Sequence, residues 1–195
     1  MKRNFLISIW MTLATTVLLG LGYPLAVTGL AQWLFPRQAN GEIIQVHGKL
    51  LGSSLIGQPF SAAGYFHSRP SEAGPAGYDP DAAGGGASNL GPTNSALITR
   101  VNGDVRRLHA ENPGAPIPVD LVTSSGSGLD PDITPAGAEF QVARVARERE
   151  MSEGDVRAAV ARHTFGRQWG FLGETRVNVL ELNLELDAMR PMNPR

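Results

Sequence analysis

From Val119 to Gly137 the chain reads VDLVTSSGSGLDPDITPAG, a concentration of aspartates, serines and glycines of the kind that active sites use. A serine at a strand-to-helix turn, with helix N–H groups behind it to hold an oxyanion, would be a hydrolase nucleophile. The spacing argues against that chemistry. A nucleophile elbow needs glycines two residues either side of the serine, whereas Ser127 has Gly126 and Gly128 directly adjacent and Ser125 has Thr123 two residues before it. His47, His67, His109 and His163 are scattered, so no triad has a local signature, and an anchored serine hydrolase or binding protein is the alternative reading. The plainer reading is architectural. Ser and Gly build a tight turn, while Asp130-Pro131 and Thr134-Pro135 fix the start of a helix. Backbone donors at such a turn can hold an anion or a partner's carbonyl.

Other chemistries find less support. There is no Gly-x-x-x-x-Gly-Lys-Ser/Thr run, Lys49 is followed by Leu50, and no Asp-Lys-Thr-Gly phosphorylation motif exists. GGGASN, Gly84 to Asn89, offers N–H groups to a phosphate but follows no strand, and reads as loop. Cysteine is absent, which removes thiolate nucleophiles, thiolate metal sites and disulfides together. His47 and His67 lack partners at ligand spacing, so no metal site is expected. The 195 residues carry a net charge of −1; with Lys2 and Arg3 set aside, 15 basic residues face 18 acidic ones, a balance of −3. That excludes a nucleic-acid surface, which needs clustered positive charge.

The elements that must position the Ser/Gly stretch begin with a long apolar run. Between Arg3 and Arg37 no residue is charged, and FLISIWMTLATTVLLGLGYPLAVTGLAQWLF exceeds the roughly 20 residues that cross a bilayer core. A cleaved signal peptide is the competing reading, but its apolar region is only about 7 to 15 residues long. Pro24 should kink this helix or end its first half, because it removes a backbone donor. Trp33 and Phe35 sit where amphipathic rings favour the membrane interface. Lys2 and Arg3 predict a cytoplasmic N-terminus, opposed only by Arg37. The expectation is a transmembrane anchor over 1–36 and an extracytoplasmic domain over 37–195, in the periplasm if the cell has an outer membrane.

Within that domain, EIIQVHGKLLGSSLIGQPF suits short strands and turns, and YFHSRPS opens with a strand-type aromatic pair. Glu72 to Asn94 is too rich in Gly, Pro and Ala for a regular element, and a loop this long is a candidate binding surface. Helices are predicted from Asn94 or Ser95 to Glu111, from the Thr134 cap to Glu150, and from the Ser152 cap to His163. VDLVT reads as a short strand. RVNVLELNLELD has strand-like alternation of leucines, but Asn178 followed by Glu181 looks like a cap, and helix is preferred. Short strands beside several helices, without βαβ alternation, predict an α+β fold. Tyr65, Phe66 and Phe140 are expected in its core.

The segments QWLFPRQANG, SSLIGQPF, GYFHSRPS, GGGASNLGPTN, PVDLVTSSGSGLDPDITPAGAEFQVARVA and VNVLELNLELD, in this order, closely resemble the C subunit of the Kdp-type potassium-transporting ATPase. The resemblance implies a single-span accessory subunit working with a channel-like A subunit, a P-type ATP-hydrolysing B subunit and a small F peptide to import potassium. It further implies a catalytic chaperone that raises the ATP affinity of the hydrolysing subunit. The matching nucleotide contacts here would be Ser125, Gly126, Ser127, Gly128 and Gln141. That role needs access to cytoplasmic ATP, whereas the charge asymmetry puts the domain outside, beside the potassium entrance. The two cannot both hold, and the outside orientation is preferred, because Lys2 and Arg3 precede a long uncharged run.

Overall fold

The computed structural model describes residues 2–46, 48–75, 77–79, 81 and 88–192, and divides into two compact units, Met1–Leu51 and Gly52–Arg195. The first unit begins with one continuous rod, Lys2–Leu34, long and apolar enough to cross a membrane. At 1.5 Å per residue its 33 residues extend about 50 Å. It comprises α1 (Lys2–Thr15), a π-helical stretch (Thr16–Gly22) and α2 (Tyr23–Leu34). Pro24, in the first turn of α2, does not end the rod. Its missing N–H leaves a gap in the i→i−4 ladder, and the wider π turns lie directly before it, where such gaps are absorbed. Phe5, Trp10, Leu25 and Trp33 are all exposed, so the rod has no face turned to protein within its own unit.

Phe35 and Pro36 stop the rod, and a short α3 (Pro36–Ala39) follows. Asn40 and Gln32 clasp each other through both amide groups at 3.1 and 3.3 Å. Strands β1 (Ile43–Val46) and β2 (Lys49–Ser53) then pair, as the Gly-punctuated sequence predicts.

The second unit is built on α5 (Pro135–Arg149), α6 (Glu153–Arg162) and α7 (Val179–Met189), with α4 (Ser95–Glu111) preceding them. All four starts carry the side-chain caps expected: Asn94, Thr134, Ser152 and Asn178 each accept a backbone N–H from two or three residues on. The cap at Asn178 settles the leucine ambiguity. In α7, Leu182 and Leu186 are completely buried and Leu180 nearly so, while Leu184 is only half-buried, the spacing of a helix face. Strands β3 (Asp132–Ile133), β4 (Thr164–Phe165) and β5 (Arg176–Asn178) form an antiparallel sheet in the order β3-β5-β4, pairing Ile133 and Thr164 with opposite sides of Val177. This is the expected α+β fold.

The core joins Phe66, Val142, Val145, Val156, Val177, Val179, Leu182 and Leu186, with Phe140 beside them. Tyr65 is half-buried, its hydroxyl donating to Asp187 at 3.0 Å. Two local expectations are corrected. VDLVT is not a strand: Val119–Leu121 forms a single 3-10 turn, because Pro118 before it and a buried Asp120 within it leave no strand edge to pair. The Tyr65–Phe66 pair is not in a strand either, its backbone being held by side chains. In the Glu72–Asn94 loop the described residues form no helix or strand, and GGGA, 84–87, lies outside the described residues, as does His47.

Candidate functional site

The Ser/Gly stretch folds onto itself. Ser125 accepts the Gly128 N–H through both its carbonyl and its hydroxyl, at 3.2 and 3.0 Å, and the Ser127 hydroxyl accepts from Leu129 N–H at 3.1 Å. Gly128 has φ +67°, a left-handed conformation that glycine adopts without penalty. The Ser71 hydroxyl donates to its carbonyl at 2.7 Å. Asp130 accepts the Asp132 N–H at 3.0 Å and pairs with Arg69 at 2.9 Å, so Ser125, Ser127 and Asp130 are engaged with nearby backbone and, for Asp130, its ion partner. The two serine hydroxyls lie 3.4 Å apart, and neither is bonded to a histidine among the described residues. His67 Nε2 instead meets the Ala62 carbonyl, and His163 sits between Glu181 and Glu185. No nucleophile-base pair is assembled there.

Asp120 occupies the start of α5. It is 5% exposed, and its Oδ2 accepts the Thr134 N–H at 2.7 Å, while Thr134 Oγ1 accepts from Gly137 N–H at 2.9 Å. A buried carboxylate at a helix N-terminus is favoured by the macrodipole, and here it fills the position a bound anion would take. Gly137 permits the approach, since a Cβ there would lie 2.7 Å from Asp120 Oδ2. Replacing Thr134 by Ala removes only the cap bond and is expected to cost about 1 kcal/mol in urea unfolding of the full chain in detergent.

Gln141, the remaining residue of the implied nucleotide set, is 2% exposed. Its Oε1 accepts from His67 N–H at 2.8 Å and from Arg144 at 2.7 Å; its Nε2 donates to the carbonyls of His67 at 3.1 Å and Gly137 at 3.2 Å. Asn183 on α7 does the same to the neighbouring residue, accepting from Phe66 N–H at 2.9 Å and donating to its carbonyl at 3.0 Å. Two amide side chains thus pair with consecutive backbone units as a strand would. Two arginines complete the grip. Arg144 meets Glu111 at 2.6 Å and the carbonyls of Ala63 and Tyr65; Arg149 meets Gly64 O at 2.6 Å, Asp187 at 2.9 Å and Arg190 O at 2.9 Å, beneath the Tyr65 ring. Sequence reasoning missed this clasp. Its only trace is buried-helix arginines and amides at positions where a helix facing the core should be apolar.

The structure therefore places Gly126 and Ser127 on an exposed turn, Ser125 half-buried in it, Gly128 buried, and Gln141 in the interior. His67 lies beside the clasp. Burial and the Arg144 charge hold its pKa below the ordinary 6.5, against the Ala62 carbonyl and Glu111. Because the folded pKa is the depressed one, the unfolded chain binds the extra proton: stability from neutral His67 is full above 6.5 and is lost as pH falls through the folded value. Unfolding midpoints measured downward from neutral pH are expected to fall, and His67→Gln to flatten that slope.

A helix long and apolar enough to cross a membrane, followed by an α+β unit, is the class of chain that the fold defines. The family model described as K+-transporting ATPase, c chain, matches residues 5–188, and the chain belongs to that family. A protein of Koribacter versatilis named potassium-transporting ATPase KdpC subunit is 62% identical over 98% of both chains. Proteins of the same name from Acidobacterium capsulatum and Methylococcus capsulatus are 59% and 54% identical, covering 91% and 97% of this chain and 94% and 100% of their own. Among the described residues no group of three or more His, Asp or Glu is arranged to hold a metal ion.

Proposed function

We propose that this protein is the single-span accessory subunit of an ATP-driven potassium importer, anchored through 1–36 with the 37–195 domain on the outer side of a bacterial inner membrane. The observation that carries the reading is the Lys2–Leu34 rod, uncharged from Asn4 onward, in a chain of a potassium-transporting ATPase family. Its partners are the channel-like A subunit, the ATP-hydrolysing B subunit and the F peptide of such a complex. The chain itself supplies helix packing and a docked domain rather than a catalytic group. Gly20, Gly22 and Gly29 let partner helices approach closely, since a Cβ at each meets nothing nearer than 3.6 Å within this chain. The domain's −3 balance mildly favours cations near the potassium entrance.

ATP contact through the Ser125–Gly128 turn and Gln141 is the second reading. The exposed Ser127 hydroxyl and Gly126 favour it at the turn, while Gln141 would have to leave its four bonds. In the full complex, removal of residues 2–36 should abolish recovery of this chain with its partners and potassium-stimulated ATP hydrolysis; an intact, active complex would overturn the anchor. A cysteine at Ser88, unique because the chain has none, should react with impermeant maleimide only from outside. Labelling from the cytoplasm would reverse the orientation and favour the nucleotide reading.

A further inference from the structure

From Phe165 to Thr175 every residue is exposed, a run of bare chain between β4 and β5. It is nevertheless ordered. Gln168 and Leu172 exchange both backbone hydrogen bonds at 2.9 Å, closing a narrow hairpin, and Gly170 N–H reaches Arg167 O at 3.2 Å. Trp169 is held at φ +53°, a conformation that residues with side chains rarely adopt, followed by Gly170 at +84°. The turn displays the rings outward: Trp169 is 85% and Phe171 67% exposed, with centroids 6.5 Å apart, and Leu172 lies beside them. The cations differ in their pairing. Arg176 is tied to Asp132 at 2.8 Å and lies over the Phe165 ring, whereas Arg167 has no carboxylate partner among the described residues.

A strained, bonded turn that presents two aromatic rings and an unpaired guanidinium is built to be covered. Its size selects the occupant. Two aromatic side chains present about 300–500 Å², below the roughly 800 Å² per partner of a stable protein interface. A bilayer interface needs no matching cavity, and it welcomes amphipathic rings with a cation beside lipid phosphate. A short tether also keeps the domain that carries the hairpin within reach of such a surface. Only 17 residues separate Leu34 from Gly52, at most about 60 Å when fully extended, so a weak insertion is repeated at high local concentration.

We propose that the Gln168–Leu172 hairpin is a membrane finger: Trp169 and Phe171 enter the headgroup layer of the bilayer that the N-terminal rod crosses, with Arg167 on a lipid phosphate. The inference rests on the anchored reading above and adds a second, reversible point of attachment, on the domain itself. It makes the outer leaflet part of the domain's docking surface.

The test uses the full chain in vesicles of phosphatidylcholine with a minority of phosphatidylglycerol. Replacing two of the three tryptophans by Phe leaves Trp169 alone in one version and Trp33 alone in another. Acyl-chain-brominated lipid is expected to quench Trp169 emission by about half, from a blue-shifted maximum, and Arg167→Gln should weaken the quenching as phosphatidylglycerol is raised. Quenched Trp33 with water-like, unquenched Trp169 overturns the finger and leaves the anchor standing. If neither tryptophan is quenched, both readings fail. A blue shift of Trp169 that appears only in the assembled complex, without bromolipid quenching, makes the occupant a protein and also overturns the proposal.

Discussion

Replacing Arg149 by Ala is expected to remove about 2–4 kcal/mol from the stability of the Gly52–Arg195 unit, the cost of an enclosed carbonyl left without its donor together with the volume the side chain vacates. The side chain is completely buried and makes bonds of three kinds: to the Gly64 and Arg190 carbonyls, to Asp187, and beneath the Tyr65 ring at 4.8 Å. Its loss strands two carbonyls and one carboxylate. Asp187 is about a third exposed and regains water, so most of the cost falls on the enclosed Gly64 carbonyl and the emptied volume. Urea unfolding of the full chain in detergent should show a lower midpoint with an unchanged slope. A loss below about 1 kcal/mol would mean that water replaces the guanidinium without difficulty. Arg149→Met separates the contributions, because it retains most of the volume and none of the donors.

The helices of this unit are legible because their signals are local. Thr134-Pro135, Ser152 with Asp155 and Asn178 with Glu181 announce their caps within four residues, and the structure uses each as a cap. The rod is legible for the same reason, an uninterrupted absence of charge from Asn4 to Pro36. What escapes is held together at long range. Phe66 meets Asn183 across 117 positions and Arg149 meets Gly64 across 85, and no pattern in either segment names the other. VDLVT failed for a related reason: its β-branched residues favour a strand, but a strand needs a neighbour, and Asp120 is committed to the start of α5. At the candidate site the turn was readable from Ser, Gly and Pro. That Gln141 lies 2% exposed was not, since glutamine on a helix is ordinarily a surface residue.

Gln141→Leu separates a structural from a nucleotide role, because the two predict losses under different conditions. Removal of the amide leaves His67 N–H and C=O without the partners they have at 2.8 and 3.1 Å, and deprives Arg144 of an acceptor. Each orphaned group costs about 1–3 kcal/mol, and with some relief from water the unit should lose about 2–4 kcal/mol with no nucleotide present. Asn183→Leu should act similarly through Phe66, and because Phe66 and His67 are adjacent the double variant should lose less than the sum. Once one clip opens, the segment it held no longer presents the second with a fixed partner. A residue whose work is to touch ATP would behave differently: Gln141→Leu would then leave unfolding of the nucleotide-free chain unchanged and abolish only the protection that ATP confers. With its amide bonded at both ends inside the domain, the expected result is a fall in nucleotide-free stability, matched by faster hydrogen exchange at Phe66 and His67.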